Sequence, residues 1–219
     1  MLRRWLRQLP FRFKNDWSQQ IGAIDFSSGL GDSAWVLYGL CRSMKPAVAV
    51  EIGSARGKSA CYIGAALKQN GSGRLYAIDP HTLTNWNDDQ SIDTYSVMRG
   101  HLEALGLTNV VTVLRQYSSE ALNKLPRPID LLFIDGDHSY AGVKADWENF
   151  APHMSPFGLV VFHDTIWELR PDTKWYRPNM GVPRFVEELR RLGYPVLTID
   201  RDCGVSLVQP VPSGIPLVP

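Results

Sequence analysis

Two aspartates and a histidine hold the chemistry that is easiest to read in this chain. Asp135 closes an apolar run at residues 130–135, and Asp164 follows another at residues 158–162. If both runs are neighbouring strands of one sheet, the two carboxylates lie within several ångströms of each other. Such a pair repels, and one member takes a proton unless a cation sits between them. All-oxygen donors favour a hard ion, Mg²⁺ first and Mn²⁺ or Ca²⁺ after it. The alternative is a carboxylate pair satisfied by loop N–H groups. His138 follows Asp135 by three residues. Its imidazole is suited to take a proton from a hydroxyl near neutral pH. His163, beside Asp164, is the rival base. His81 and His153 rank below it, and His101 reads as a helix-surface residue.

A second constellation is Glu51-Ile52-Gly53-Ser54-Ala55-Arg56-Gly57-Lys58-Ser59. It reads as the end of a buried strand, a turn with two glycines, and the start of a helix. A Walker A loop needs four residues between its first glycine and the Gly-Lys-Ser, and this loop has only Ser54, Ala55 and Arg56 there. Ala55 also stands where a dinucleotide fingerprint has its second glycine. What remains is an acid followed by two spaced glycines. That suits a ligand with an ammonium group and no phosphates, held against the positive end of a helix. The competing reading is a tight strand–helix turn with no ligand. Asp79 lies 28 residues after Glu51 and is placed to accept from ribose hydroxyls. Its bland alternative is a turn or helix cap.

The elements that must position these groups alternate strand and helix, with no internal repeat. Strands are expected at residues 48–52, 74–79, 110–114, 130–135, 158–162, 195–199 and 204–208. Helices are expected at 58–68, 92–105, 118–123, 141–150 and 182–192, with an earlier one running to Ser43, capped by Asp32 or Ser33 and stopped by Lys45-Pro46. This pattern argues an α/β fold, a Rossmann-like doubly wound seven-stranded sheet with helices on both faces. The link between the last two strands is too short for a right-handed crossover, so the last strand is antiparallel. In such sheets the ligand site lies at the carboxyl ends of the strands. There the chain places Glu51, Asp79, Gln116 to Ser119, Asp135 to His138, and His163 to Thr165.

Bulk composition narrows the partners. Lys and Arg number 23 against 22 Asp and Glu, which leaves no global field to draw nucleic acid or a membrane. Three scattered cysteines suit a reducing, cytoplasmic setting better than a disulfide framework. No stretch approaches a membrane span, and no apolar run of about 7–15 residues follows the basic start to make a secretory signal. Residues 1–30 read as a basic, aromatic N-terminal arm and residues 31–208 as one catalytic domain. Residues 209–219 form a Pro-rich tail. The arm suits packing on its own domain, on a second subunit in a homo-oligomer, or against an anionic membrane surface.

The glycine loop, Ile78-Asp79-Pro80, Phe133-Ile134-Asp135-Gly136-Asp137-His138-Ser139-Tyr140 and His163-Asp164-Thr165 together resemble a class I S-adenosylmethionine-dependent methyltransferase. The resemblance is to the branch of catechol-type and macrolide-sugar O-methyltransferases, and it covers about residues 31–208. It implies S-adenosyl-L-methionine as cofactor, with Glu51, Gly53, Ser54, Gly57 and Ser59 around its methionine part, Asp79 at the ribose and Ser118 beside adenine. It implies Asp135 and Asp164 as ligands of Mg²⁺ or another divalent cation, with Asp135 also bordering the cofactor. His138 falls where the macrolide-sugar enzymes carry a histidine base. Thr165 stands in place of the asparagine that catechol-type enzymes use as a third metal ligand. The implied reaction is O-methylation of a small molecule or sugar. Metal-independent methyl transfer, or cofactor binding without turnover, are the alternatives. Trp86, Trp167, Trp175, Tyr176 and Arg177 are expected to line the acceptor pocket.

Overall fold

The computed structural model describes residues 17–83, 92–166 and 179–211. Its centre is a seven-stranded sheet in the order β3-β2-β1-β4-β5-β7-β6. The strands are β1 Val48–Ile52, β2 Arg74–Ile78, β3 Val111–Leu114, β4 Ile129–Ile134, β5 Met154–His163, β6 Val196–Ile199 and β7 Val205–Val208. Every pairing is parallel except those of β7, which runs antiparallel to both β5 and β6. The sheet thus has the doubly wound order and the antiparallel last strand expected from the short final link.

The helices are α1 Trp17–Gly22, α2 Ala34–Met44, α3 Lys58–Asn70, α4 Thr94–Ala104, α5 Ser118–Ala121, α6 Tyr140–Phe150 and α7 Val182–Arg191. Alternate residues of the central strands point to opposite faces and build two cores. Ala49, Leu131, Phe133 and Val161 pack under α2, α3 and α4. Val50, Leu132, Val160 and Phe162 pack under α6 and α7 with Trp147, Phe150 and Phe185. Strands buried on both faces explain the unbroken apolar runs in the sequence.

Three local outcomes refine the sequence expectation. First, β5 begins at Met154, ahead of Pro156 and Gly158, because a register shift between Ile129 and Leu131 lets β4 pair past them. Second, Ser33 precedes α2, but its hydroxyl does not cap that helix; it bonds Asp202 Oδ2 at 2.8 Å, and Arg201 pairs with Asp32. The β6–β7 turn is thereby tied to the start of α2. Third, the chain before residue 31 contributes α1, and Ile21, Phe26 and Leu30 are buried in the core.

Candidate functional site

The carboxyl ends of β1, β2, β4 and β5 open into a cleft of about 960 Å³. Three strand ends are joined there through backbone. Gly53 N–H donates to Ile78 C=O and Asp135 N–H to Ile52 C=O, each at 2.9 Å. Gly53 has φ +88°, and a Cβ on it would lie 2.1 Å from the Asp135 carbonyl oxygen. Only glycine lets the β1 loop pass so close to the β4 loop. Gly57 (φ +84°) packs on Met98 of α4, and α3 begins directly after it. From α4, His101 Nδ1 donates to the Arg56 carbonyl at 2.9 Å, and its ring meets Phe26 edge-on. This half-buried histidine holds the loop; it is not a helix-surface residue.

Asp79 bridges the same loop. Its Oδ2 accepts from Ala55 N–H at 2.8 Å and its Oδ1 from His81 N–H at 2.7 Å. Glu51 is wholly buried beneath the turn and is not part of the cleft surface. Its Oε2 accepts from Ser54 Oγ at 2.7 Å, and Oε1 has no hydrogen-bond partner among the described residues. Burial pushes its carboxyl up to about 7, against the opposing pull of the Ser59 and Ser54 hydroxyls. Ser54 and Ser59 do line the cleft, so they stand between Glu51 and any ligand.

At the β4 and β5 ends the cluster is denser. His138 Nε2 lies 3.2 Å from Asp135 Oδ1 and 3.4 Å from Asp164 Oδ2. One donor atom each from Asp135, His138 and Asp164 fall within 4.8 Å of one another. His163 comes from beneath, with Nδ1 3.2 Å from Asp135 Oδ1 and 3.3 Å from Asp164 Oδ1. Burial alone would raise Asp135, but the His163 and His138 charges overcome it and hold the carboxyl well below its usual range. Burial raises Asp164 in spite of the same two histidines. Splitting of this kind is what two carboxylates in one site do. Burial works against the protonated imidazoles, yet the Asp135 hydrogen bond and both carboxylates raise His138, and Asp164 and Asp135 push His163 up to about 9. Both imidazoles are thus favoured in their protonated form beside the carboxylates.

Other sequence candidates fall in varied places. Ser118 lines the cleft at the start of α5 and donates to Asp146 Oδ1 at 2.6 Å. Thr165 is buried away from the cleft lining; its backbone pairs with Gly204, and a Cβ on Gly204 would lie 3.0 Å from its hydroxyl. His153 precedes β5, at the opposite edge of the sheet. Trp86, Trp167, Trp175, Tyr176 and Arg177 lie outside the described residues. Three cleft features escaped sequence reasoning: the segment from Phe26 to Leu30, Met180, and Asp146 on α6. Cys203 bonds Asp164 from the β6–β7 turn, and burial pushes its thiol up to about 12. Asp146 carries a usable signal, a lone acid at helical spacing from Gly142 and Asn149. The others depend on tertiary placement alone.

The seven-stranded sheet, with the cleft at its carboxyl edge, has the Rossmann-like methyltransferase fold. A family described as "Methyltransferase domain", Methyltransf_24, matches residues 50–165, and the chain belongs to it. A protein of Sinorhizobium fredii, uncharacterized protein y4gI, is 29% identical over 172 residues, which is 69% of this chain and 18% of that one. The chain spans less than a third of the length of the curated relatives it matches. Among solved structures, the O-methyltransferase TomG of Streptomyces achromogenes, involved in tomaymycin synthesis and bound to SAM, has 20% identity and a TM-score of 0.62, over 81% of this chain and 78% of that chain. An O-methyltransferase of Bacillus cereus in complex with SAH has 17% identity and a TM-score of 0.62, over 91% and 93%. At these identities the two structures establish a shared fold. No described helix is long and apolar enough to cross a membrane.

Proposed function

We propose that this chain is an S-adenosylmethionine-dependent O-methyltransferase acting on a hydroxyl of a small molecule or sugar. The observation that carries the reading is one cleft with the glycine loop at one side and the Asp135, His138 and Asp164 cluster beside it. The family supports methyl transfer, and the TomG and Bacillus cereus relatives support the donor. Bound S-adenosylmethionine would supply an electrophilic methyl on a sulfonium sulfur. Around it, Gly53 to Gly57 give close backbone approach, Ser54 and Ser59 offer hydroxyls, and Asp79 fixes the loop while reaching the ribose. Asp135 brings negative charge to the ammonium and sulfonium side.

The Asp135 and Asp164 carboxylates also fit a divalent cation, with His138 beside them and outside the ligand set. Asp164 Oδ1 is buried without a hydrogen bond among the described residues. Such a cation, Mg²⁺ or another, would supply the positive charge that Asp135 and Asp164 now draw from protonated histidines. In its neutral form His138 would take the proton of the acceptor hydroxyl on Nε2. Positioning of the two reactants supplies the rest of the rate. A second reading has its own support. The His138 and His163 imidazoles already provide cationic charge, so transfer without a metal is consistent with the same cluster.

Calorimetry on the purified chain tests the donor. S-adenosylhomocysteine should bind at micromolar scale, while NAD and ATP should not. Tight NAD binding with no response to S-adenosylhomocysteine would overturn the proposal.

A further inference from the structure

A second hollow, of about 420 Å³, lies beside the cleft, bounded by the end of α1 and the starts of α2 and α3. Ligand sites of ordinary size run from roughly 300 to 1,000 Å³. Phe26, Ser27, Ser28 and Lys58 line both the cleft and the hollow, so the two spaces share one wall. That wall is held in place. Ser27 has a φ of +46°, a conformation that a residue other than glycine keeps only where its surroundings enforce it. Asp25 Oδ1 accepts from its N–H at 2.9 Å, and Arg56 Nη1 donates to its carbonyl at 3.1 Å.

Two properties of the hollow point to a ligand. The first is Trp35, which stays 42% exposed. Tyr62, Trp17 and Tyr38 pack around it with ring centroids at 5.1, 5.7 and 5.7 Å, and these three are buried or half-buried. Trp35 therefore carries the open surface of the aromatic group. The second is the polar set. Lys58 has no hydrogen bond or ion pair among the described residues, although Asp202, Asp32 and Asp25 act on it through their charge. Asp25 spends Oδ1 on Ser27 and keeps Oδ2 as a spare acceptor. Asp32 already meets Arg201 at 2.5 Å. With charges of both signs so close, an ionic ligand gains little. A neutral ligand with many hydroxyls finds a donor in Lys58 and an acceptor in Asp25. A sugar ring has that character, with a face of C–H bonds to lie on an indole and a rim of hydroxyls.

Resting on the reading of this chain as a methyltransferase that acts on a hydroxyl, we propose that the hollow is a glycosyl subsite. A non-reacting sugar unit of the acceptor stacks on Trp35 and bonds Lys58 and Asp25, while the hydroxyl to be methylated lies on the cleft side of the Phe26 to Ser28 wall. The subsite then selects the acceptor without selecting the methyl donor.

Saturation-transfer NMR on the full chain tests this with the methyl glycosides of glucose, galactose and rhamnose, with and without S-adenosylhomocysteine. At least one glycoside should bind through its ring protons in both conditions. Trp35→Ala should weaken that binding by about tenfold or more, the loss of one aromatic contact, and Trp35→Phe should restore part of it. Calorimetry should show S-adenosylhomocysteine affinity unchanged in both variants. Should a thermal melt show Trp35→Ala unfolded, Lys58→Met is read in its place and should weaken the glycoside likewise. A wild-type chain that binds S-adenosylhomocysteine but none of the glycosides would overturn the inference and leave the donor reading standing. So would a glycoside signal that the variants leave unchanged, or a hollow that takes tetramethylammonium instead. Failure of S-adenosylhomocysteine itself to bind would overturn the donor reading, and the acceptor subsite with it.

Discussion

Glu51 and Asp135 leave adjacent parallel strands, β1 and β4, yet they sit in opposite charge regimes. Burial pushes Glu51 up to about 7, while Asp135 is held well below its usual range. Residue type does not explain the contrast. Asp135 faces two imidazoles at 3.2 Å, and Glu51 faces hydroxyls. The fold builds a cation at one strand end and omits it at the other. At the first, the negative charge is a permanent feature of the site. At the second, the charge waits for a positive ligand, and the proposed donor carries one in its ammonium and another in its sulfonium.

The largest effect expected from this contrast concerns the cation at the Asp135 end. Treatment with EDTA should abolish turnover, and Mg²⁺ or Mn²⁺ should restore it. Because the ion competes with a proton held by His138, the concentration needed should fall as pH rises. Full activity after chelation would mean that the imidazoles alone balance the carboxylates, and the metal-free reading would replace this one.

Next comes the base. His138→Ala should cost about 10²–10⁴ in kcat, the usual range for general base catalysis. S-adenosylhomocysteine affinity should change little. The wild-type rate should rise with pH as His138 loses its proton, and that limb should vanish in the variant. A near-normal kcat in His138→Ala would shift the role to His163, which already reaches both carboxylates.

Smaller in reach is the stability cost at Glu51. Its folded carboxyl binds a proton more tightly than the unfolded chain does, so its contribution is fully present below pH 4.5 and is lost as pH rises through about 7. The loss is on the order of 3 kcal/mol. Asp146 acts in the same direction, having risen to about 6. Urea unfolding at pH 5 and pH 8 should show wild type losing more stability than Glu51→Gln over that interval. Parallel losses would place the effect elsewhere.

How much of this was legible in the sequence follows from which interactions are local. The strand ends were, because β1 and β4 are unbroken apolar runs that stop at polar residues. So was the glycine turn, since Gly53 and Gly57 do adopt positive φ. The adjacency of Asp135 and Asp164 followed from strand order. What escaped depends on long-range packing. His163 Nδ1 reaches Asp135 from the end of the neighbouring strand, Cys203 reaches Asp164 from another turn, and Phe26 to Leu30 line the cleft from a segment with no strong period. Glu51 is expected at the cofactor's methionine part, whereas the serines of its own loop close over it. Asp146 was masked by the apolar stripe on the other face of its helix.

The central claim is that Glu51 is a carboxyl without a cation until the ligand brings one. Carboxyl-carbon NMR on glutamate-labelled protein, assigned with Glu51→Gln, reads this directly. Glu51 should titrate near pH 7 in the free protein and move to lower pH on saturation with S-adenosylhomocysteine. A midpoint near the ordinary 4.5 in the free protein, or one that the ligand leaves unmoved, would contradict the account.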